Sequence, residues 1–196
     1  MEKGLITLRL SQIMQGLIFV SIFLSAYRTQ YMVTIAAIVA LGITFLPAII
    51  KKKWHITLPL TLNFLIVLSL YLHIGGATLG LYHLLYPFYD KFGHFLGSVT
   101  VALLGFSSAV VLNKFSGIKL KKIHVVLFII MFTMAIGSLW EIGEFTVDKI
   151  WTMKNQYSLD DTMYDLIFDL VGALLIALIT TVNFETMKKE IKLPKT

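Results

Sequence analysis

Six apolar runs, each long enough to cross a bilayer, constrain this chain more than any other feature of its sequence. They occupy residues 11–27, 31–50, 57–74, 92–113, 123–146 and 162–184. A transmembrane helix needs about 20 consecutive, predominantly apolar residues, and a helix satisfies all of its backbone hydrogen bonds within lipid. Hydrophobic residues make up 57% of the 196 residues, and the mean hydropathy is +0.82. The sequence therefore predicts an all-α integral membrane bundle of six transmembrane helices, formed as one transmembrane domain over residues 1–196.

The basic residues predict the orientation of this bundle. Thirteen of the 17 Lys and Arg residues flank the ends that both termini share, and four lie at the opposite ends. Because Lys and Arg concentrate in cytoplasmic loops, both termini are expected in the cytoplasm. This distribution makes the basic residues topology anchors and does not indicate a nucleic-acid partner. Cysteine is absent, which excludes disulfides, thiolate metal sites and cysteine nucleophiles.

The acidic residues segregate the other way, and those of the fifth run are the most informative. Glu141, Glu144 and Asp148 follow one another at spacings of three and four, which places them on one face of a helix. An ionised carboxylate at the centre of a membrane helix costs about 2.5–3.5 kcal/mol on insertion scales. Eight of the 11 acidic residues lie toward the outer face, the side that carries four basic residues. A group of acids in that position requires a functional or structural reason.

Two further polar columns begin the fourth and sixth runs. Asp90 and His94 are four residues apart, and Asp161, Asp165 and Asp169 repeat the same step. The first acids of the sixth run can also be explained as an N-cap or as first-turn acids favoured by the helix dipole. That explanation does not reach Asp169, which lies about 12 Å further along the helix.

The fourth and sixth helices run inward from the outer face and the fifth runs outward to it, so the three columns are expected to meet. Carboxylates with one imidazole and no thiolate suit Mg²⁺, Mn²⁺, Ca²⁺, Fe²⁺ or Zn²⁺, and these ions are not distinguished. The predicted ligands of a divalent metal ion are Asp90, His94, Glu141, Glu144, Asp161 and Asp165. The predicted catalytic carboxylates, as general bases, are Asp148 and Asp169. A purely structural polar network between the helices is the alternative.

Three motifs carry a resemblance to a known family. The segments Tyr-Asp-Lys-Phe-Gly-His-Phe (89–95), Trp-Glu-Ile-Gly-Glu (140–144) and Asp-Thr-Met-Tyr-Asp-Leu-Ile-Phe-Asp-Leu-Val-Gly-Ala-Leu (161–174) resemble the YjdF-type family of small bacterial inner-membrane proteins. The residues that match the pattern of that family are Asp90, Gly93, His94, Glu141, Glu144, Asp161 and Asp165. The resemblance implies a multi-pass protein of the bacterial cytoplasmic (inner) membrane, of uncharacterised activity.

Three functions are compatible with these observations. The first is a metal-dependent enzyme, a hydrolase acting on a lipid or lipid-linked substrate at the outer leaflet. No arginine accompanies the acids, which disfavours phosphoryl chemistry. The second is a cation or proton-coupled transporter, since carboxylate ladders line ion paths. The third is a lipid- or protein-binding subunit whose acids only hold helices together. The expected partners are membrane lipids and a small-molecule or lipid substrate, and the oligomeric state is left open.

Overall fold

The computed structural model describes residues 2–117, 119–151 and 153–194, and most of these residues lie in helices. The helices, in chain order, are α1 (Glu2–Tyr27), α2 (Tyr31–Thr44), α3 (Leu46–Trp54), α4 (Leu60–Leu79), α5 (Leu81–Leu84), α6 (Phe88–Phe115), α7 (Lys122–Trp151) and α8 (Leu159–Glu190). Six segments are long and apolar enough to cross a membrane: Gly4–Tyr27, Tyr31–Trp54, Leu60–Leu79, Phe88–Phe115, Lys122–Trp151 and Leu159–Glu190. The predicted fold class is therefore confirmed.

The helices extend beyond most of the apolar runs that predicted them. The backbone of α1 is helical from Glu2, nine residues before the predicted start at 11. Helix α8 has a kink at Asn183, beside the predicted end at 184, and helical structure resumes after it to Glu190. Hydropathy locates only the part of a helix that fits the hydrocarbon layer. The polar first and last turns can lie outside that layer, so the sequence underestimates helix length.

Large apolar side chains on the surface agree with a lipid environment. Met131 on α7 is 71% exposed, and Leu178 and Val182 on α8 are 64% and 76% exposed. Soluble monomers rarely present extended apolar surfaces. The exposure of these apolar side chains is therefore consistent with contact with lipid tails.

The chain forms two compact units. Unit 1 comprises the described residues of Met1–Tyr89 and Lys189–Thr196, and unit 2 comprises those of Asp90–Lys188. In unit 1, Ala37, Ala40 and Ile74 form a small buried cluster, and an antiparallel bridge joins Thr57 to Lys192. The prediction of a single domain stays a prediction.

Small residues permit close approach of the helices of unit 2. A Cβ atom on Gly105 of α6 would lie 3.1 Å from the ring of Phe132 on α7. A Cβ atom on Gly172 of α8 would overlap Ser98 Oγ and lie 3.0 Å from the carbonyl oxygen of Phe95, both on α6. Close packing over small side chains is characteristic of membrane helices, and it brings the polar columns of these helices within reach of one another.

Ser158 caps the start of α8. Its hydroxyl accepts the backbone N–H of Asp161 at 3.1 Å, which is the usual bond from an N-cap side chain to the third helical residue. The first-turn part of the alternative explanation is therefore confirmed, since Asp160 and Asp161 lie in the first turn of α8, whereas Ser158 takes the N-cap position. One carboxylate oxygen of Asp161, Oδ2, accepts the backbone N–H of Tyr157 at 3.3 Å, and the other is directed at Lys91.

Candidate metal centre

Seven polar side chains from three helices of unit 2 converge on one buried cluster, which we call the acid–histidine cluster. Its members are Asp90, Lys91 and His94 on α6, Glu141 on α7, and Asp161, Asp165 and Asp169 on α8. The four-residue steps on α6 and α8 stack the side chains along the facing surfaces of the two helices. Glu141, Asp161, Asp165 and Asp169 are each at most 5% exposed.

Lys91 binds the part of the cluster nearest the helix starts. Its ammonium lies 2.6 Å from Asp161 Oδ1 and 2.7 Å from Asp165 Oδ1. It also lies 3.2 Å from Asp90 Oδ2 and donates to the backbone carbonyl of Asp161 at 3.3 Å. The residue is only 8% exposed, so this cation is enclosed by acids and does not reach toward a membrane surface.

His94 connects the other members through both of its ring nitrogens. Nδ1 lies 3.3 Å from Asp169 Oδ1. Nε2 faces Glu141 Oε1 at 3.5 Å, Asp165 Oδ1 at 3.6 Å and Asp90 Oδ1 at 3.9 Å. The two nitrogens therefore have different surroundings, one carboxylate on one side and three on the other.

The segment between α7 and α8 covers Glu141. The side-chain amide of Gln156 donates to the carboxylate and to the carbonyl oxygen of Glu141, both at 3.0 Å. Asp148 fixes this segment in turn, because its carboxylate accepts the backbone N–H groups of Asn155 and Gln156 at 2.9 Å. The conformation of the connection thus sets the position of the Glu141 carboxylate.

Two oxygens of the cluster have no hydrogen-bond partner among the described residues: Glu141 Oε1 and Asp169 Oδ2. Buried carboxylate oxygens without a partner are costly, and an ion or a water molecule commonly supplies the missing contact. Asp90, His94 and Asp165 each offer a ligand atom, and these atoms all lie within 4.8 Å of one another. The residue types and spacing fit a divalent metal ion.

Gly137 of α7 provides the space for Asp169. A Cβ atom at position 137 would overlap Asp169 Oδ2 and lie 3.0 Å from its Cγ. The absence of a side chain there allows the carboxylate to lie beside Nδ1 of His94. Gly137 is therefore part of the construction of the cluster, although it carries no functional group.

The structure brings together most of the residues predicted to form the site. Five of the six predicted ligands, all except Glu144, contribute contacts to the acid–histidine cluster. Glu144 accepts the indole N–H of Trp140 at 3.0 Å on its own helix. Of the two predicted bases, Asp169 contacts His94 and Asp148 binds the α7–α8 connection. Whether these residues bind a metal stays a prediction.

Sequence reasoning missed Lys91 and Gln156. Lys91 was counted as a topology anchor, although its position directly after Asp90 at the start of a polar column was available as a signal. A cluster of buried acids requires a cation, and a neighbouring lysine is a candidate as much as a metal ion is. Gln156 lies in an irregular connection, and no sequence pattern indicated its contact with Glu141.

Comparison with known proteins agrees with the membrane assignment. The family described as "Predicted membrane protein (DUF2238)" matches residues 10–186. A Thermotoga maritima relative named "Uncharacterized protein" is 32% identical over 166 residues, which cover 84% of this chain and 84% of the relative. No solved structure matches the chain significantly. The coarser part of the predicted resemblance, membership of a membrane-protein family, is confirmed.

Proposed function

We propose that this chain, which belongs to the DUF2238 family of predicted membrane proteins, is a membrane-embedded, metal-dependent hydrolase of a lipid or lipid-linked substrate. The proposal includes the YjdF-type assignment, the bacterial inner membrane and a substrate that arrives from the outer leaflet. Asp90, His94 and Asp165 are the proposed ligands of the metal ion. Glu141 is the proposed general base, in place of Asp148 and Asp169.

The observation that carries this proposal is the difference between the surroundings of the two ring nitrogens of His94: Nδ1 faces one carboxylate and Nε2 faces three. A metal-binding histidine typically donates its second ring N–H to a carboxylate, which fixes the tautomer and the ring orientation. Asp169 occupies that position at Nδ1, 3.3 Å away. With the proton on Nδ1, the lone pair of Nε2 faces three carboxylates, and a cation between them would stabilise this arrangement.

The separations around Nε2 fit an ion held between these atoms. Two ligand atoms bound at about 2.1 Å to one ion lie about 3.0–3.4 Å apart in octahedral or tetrahedral geometry. Asp165 Oδ1 and Asp90 Oδ1 lie 3.6 and 3.9 Å from Nε2, so a small contraction brings them into range. The same distances are long for hydrogen bonds, and this supports a metal-binding arrangement over a directly bonded polar network.

The charge balance of the cluster supports a bound cation as well. Five carboxylates converge there, and only two of the seven members, Lys91 and His94, can carry a positive charge. A bound divalent ion supplies Lewis-acid chemistry, polarising a substrate oxygen. Glu141 Oε1 lies 3.5 Å from His94 Nε2 and has no hydrogen bond among the described residues. It is therefore positioned to take a proton during hydrolysis.

The packing beyond the cluster favours an enzyme over a transporter. Further along the helices of unit 2, the buried side chains among the described residues carry no charge. They include the apolar Ala102, Phe106 and Ile129, and the buried hydroxyls of Ser107 and Thr133 donate to carbonyl oxygens of their own helices. Phe106 and Phe184 meet edge to face with their ring centroids 5.9 Å apart. An ion crossing this layer within unit 2 would lose its water with no charged ligand in exchange, which is costly. A site open only at one end needs no such crossing.

The test is to measure bound metal and lipid hydrolysis together. Purified protein equilibrated with Mn²⁺ should retain one ion per chain by elemental analysis, and it should cleave a component of a bacterial polar lipid extract in a reaction that EDTA stops. His94→Ala should lose both properties. Glu141→Gln should keep the ion and lose the cleavage. Wild-type protein that retains no ion and cleaves no lipid would refute the proposal and favour a purely structural role for the acids.

A further inference from the structure

We infer that Lys91 is a resident cation in the second position of a two-cation carboxylate centre, and that its ammonium limits this centre to a single divalent ion. The inference rests in part on the proposed function, which places that ion beside His94. It predicts a second divalent-ion site, at the position of the ammonium, in protein that lacks this lysine.

The surroundings of the Lys91 ammonium resemble the coordination shell of a hard metal ion. Four oxygens lie within 3.3 Å of Nζ: one each from the carboxylates of Asp90, Asp161 and Asp165, and the carbonyl oxygen of Asp161. Carboxylate and backbone oxygens are the ligands that Mg²⁺, Mn²⁺ and Ca²⁺ take in proteins. An ammonium has three hydrogen atoms to donate, and these oxygens account for all of them.

Two carboxylates are shared between the ammonium and the His94 side of the cluster. Asp90 directs Oδ2 to Lys91 at 3.2 Å and Oδ1 toward His94 Nε2 at 3.9 Å. Asp165 Oδ1 lies 2.7 Å from Lys91 and 3.6 Å from His94 Nε2. Carboxylates that face two cations at once are the construction principle of two-metal sites in helical bundles. Here one of the two positions holds a side chain.

This arrangement excludes the two ordinary roles of a lysine near a membrane surface. Lys91 is 8% exposed, so its ammonium does not reach lipid headgroups as a topology anchor would. Its donors are all directed at protein oxygens, so it has none to offer an anionic substrate. The remaining role is structural: the positive charge of the Lys91 ammonium holds the Asp161 and Asp165 carboxylates in place.

The experiment counts divalent ions in Lys91→Met. Detergent-purified full-length wild type, Lys91→Met and Lys91→Arg are equilibrated with Mn²⁺, passed over a desalting column and measured by elemental analysis. The wild type and Lys91→Arg, which keeps the positive charge, should hold one ion per chain. Lys91→Met should hold two, and its thermal unfolding temperature should rise more on addition of Mn²⁺ than that of the wild type.

The possible results separate this inference from the proposed function. One ion in both the wild type and Lys91→Met overturns the inference and leaves the metal enzyme intact. No ion in the wild type, but one in Lys91→Met that survives an added His94→Ala, supports the Lys91 position and refutes the proposed function. No ion in either protein overturns both. If Lys91→Met does not fold, Lys91→Met with Asp161→Asn keeps one side-chain oxygen at position 161 and removes one negative charge. Two ions in that variant support the inference, and one ion overturns it.

Discussion

Gly137→Ala should weaken metal binding without touching any proposed ligand. The added methyl group would overlap Asp169 Oδ2 and lie 3.0 Å from Asp169 Cγ. The carboxylate must therefore leave its present position, in which Oδ1 lies 3.3 Å from His94 Nδ1. Loss of a carboxylate that orients a metal-binding histidine typically costs about 10–100-fold in affinity. We expect a loss of that size, about 1.4–2.7 kcal/mol.

Calorimetric titration of Mn²⁺ into purified protein measures this loss, and Gly143→Ala is the matched control. Gly143 lies on the same helix, and a Cβ atom there would meet nothing within 4 Å. The control should bind Mn²⁺ like the wild type, while Asp169→Asn should weaken binding to a similar extent as Gly137→Ala. Unchanged binding by Gly137→Ala would refute the role of Asp169 as the orienting group of His94.

Four further predictions concern stability, topology, coupling and transport. In a denaturation assay, Gly172→Ala should destabilise the fold by about 1–3 kcal/mol, because its methyl group would press on Ser98 and the Phe95 carbonyl. The control Gly97→Ala, whose methyl group would meet nothing within 4 Å, should be neutral or stabilising in the same assay. A cysteine introduced at Asn155 should react with a membrane-impermeant reagent from outside intact cells, and labelling from the cytoplasm alone would invert the topology. Glu141→Gln and Asp165→Asn should be non-additive in thermal stability, and simple additivity would mean that the acids are independent. Protein in liposomes should bind external Mn²⁺ without carrying it across, whereas uptake above that of empty liposomes would favour transport.

The sequence predicted the fold class well because bilayer thickness imposes a length on every spanning helix. It also predicted which faces of α6 and α8 meet, because a four-residue step keeps side chains on one face. The sequence did not predict that Glu141 would face His94 while Glu144 would not. Glu144 is one turn from Glu141, yet Trp140 takes its carboxylate. Spacings of three and four look equivalent in a sequence, but they differ by about 100° around the helix.

Lys91 and Asp148 show why the partners of some side chains could be identified only from the three-dimensional structure. A lysine at a helix end can extend toward the headgroups or fold back into the protein, and only the positions of Asp161 and Asp165 decide between these directions. Asp148 lies two turns beyond Glu141, about 10 Å along the helix, where the irregular connection after α7 takes its carboxylate. The outcome for Asp148 does not depend on a local pattern that can be read from neighbouring residues.

The connection between α7 and α8 has a consequence for the order in which the chain assembles. The bonds of Asp148 to Asn155 and of Gln156 to Glu141 join residues only 7 and 15 positions apart. The bonds of Lys91 to Asp161 and Asp165 span 70 and 74 positions. Closing short loops is faster than closing long ones, so the bonds of the α7–α8 connection are expected to form before those that join Lys91 to α8. Glu141 would then be in place early, and the arrival of Lys91 and His94 would be the step that completes the centre.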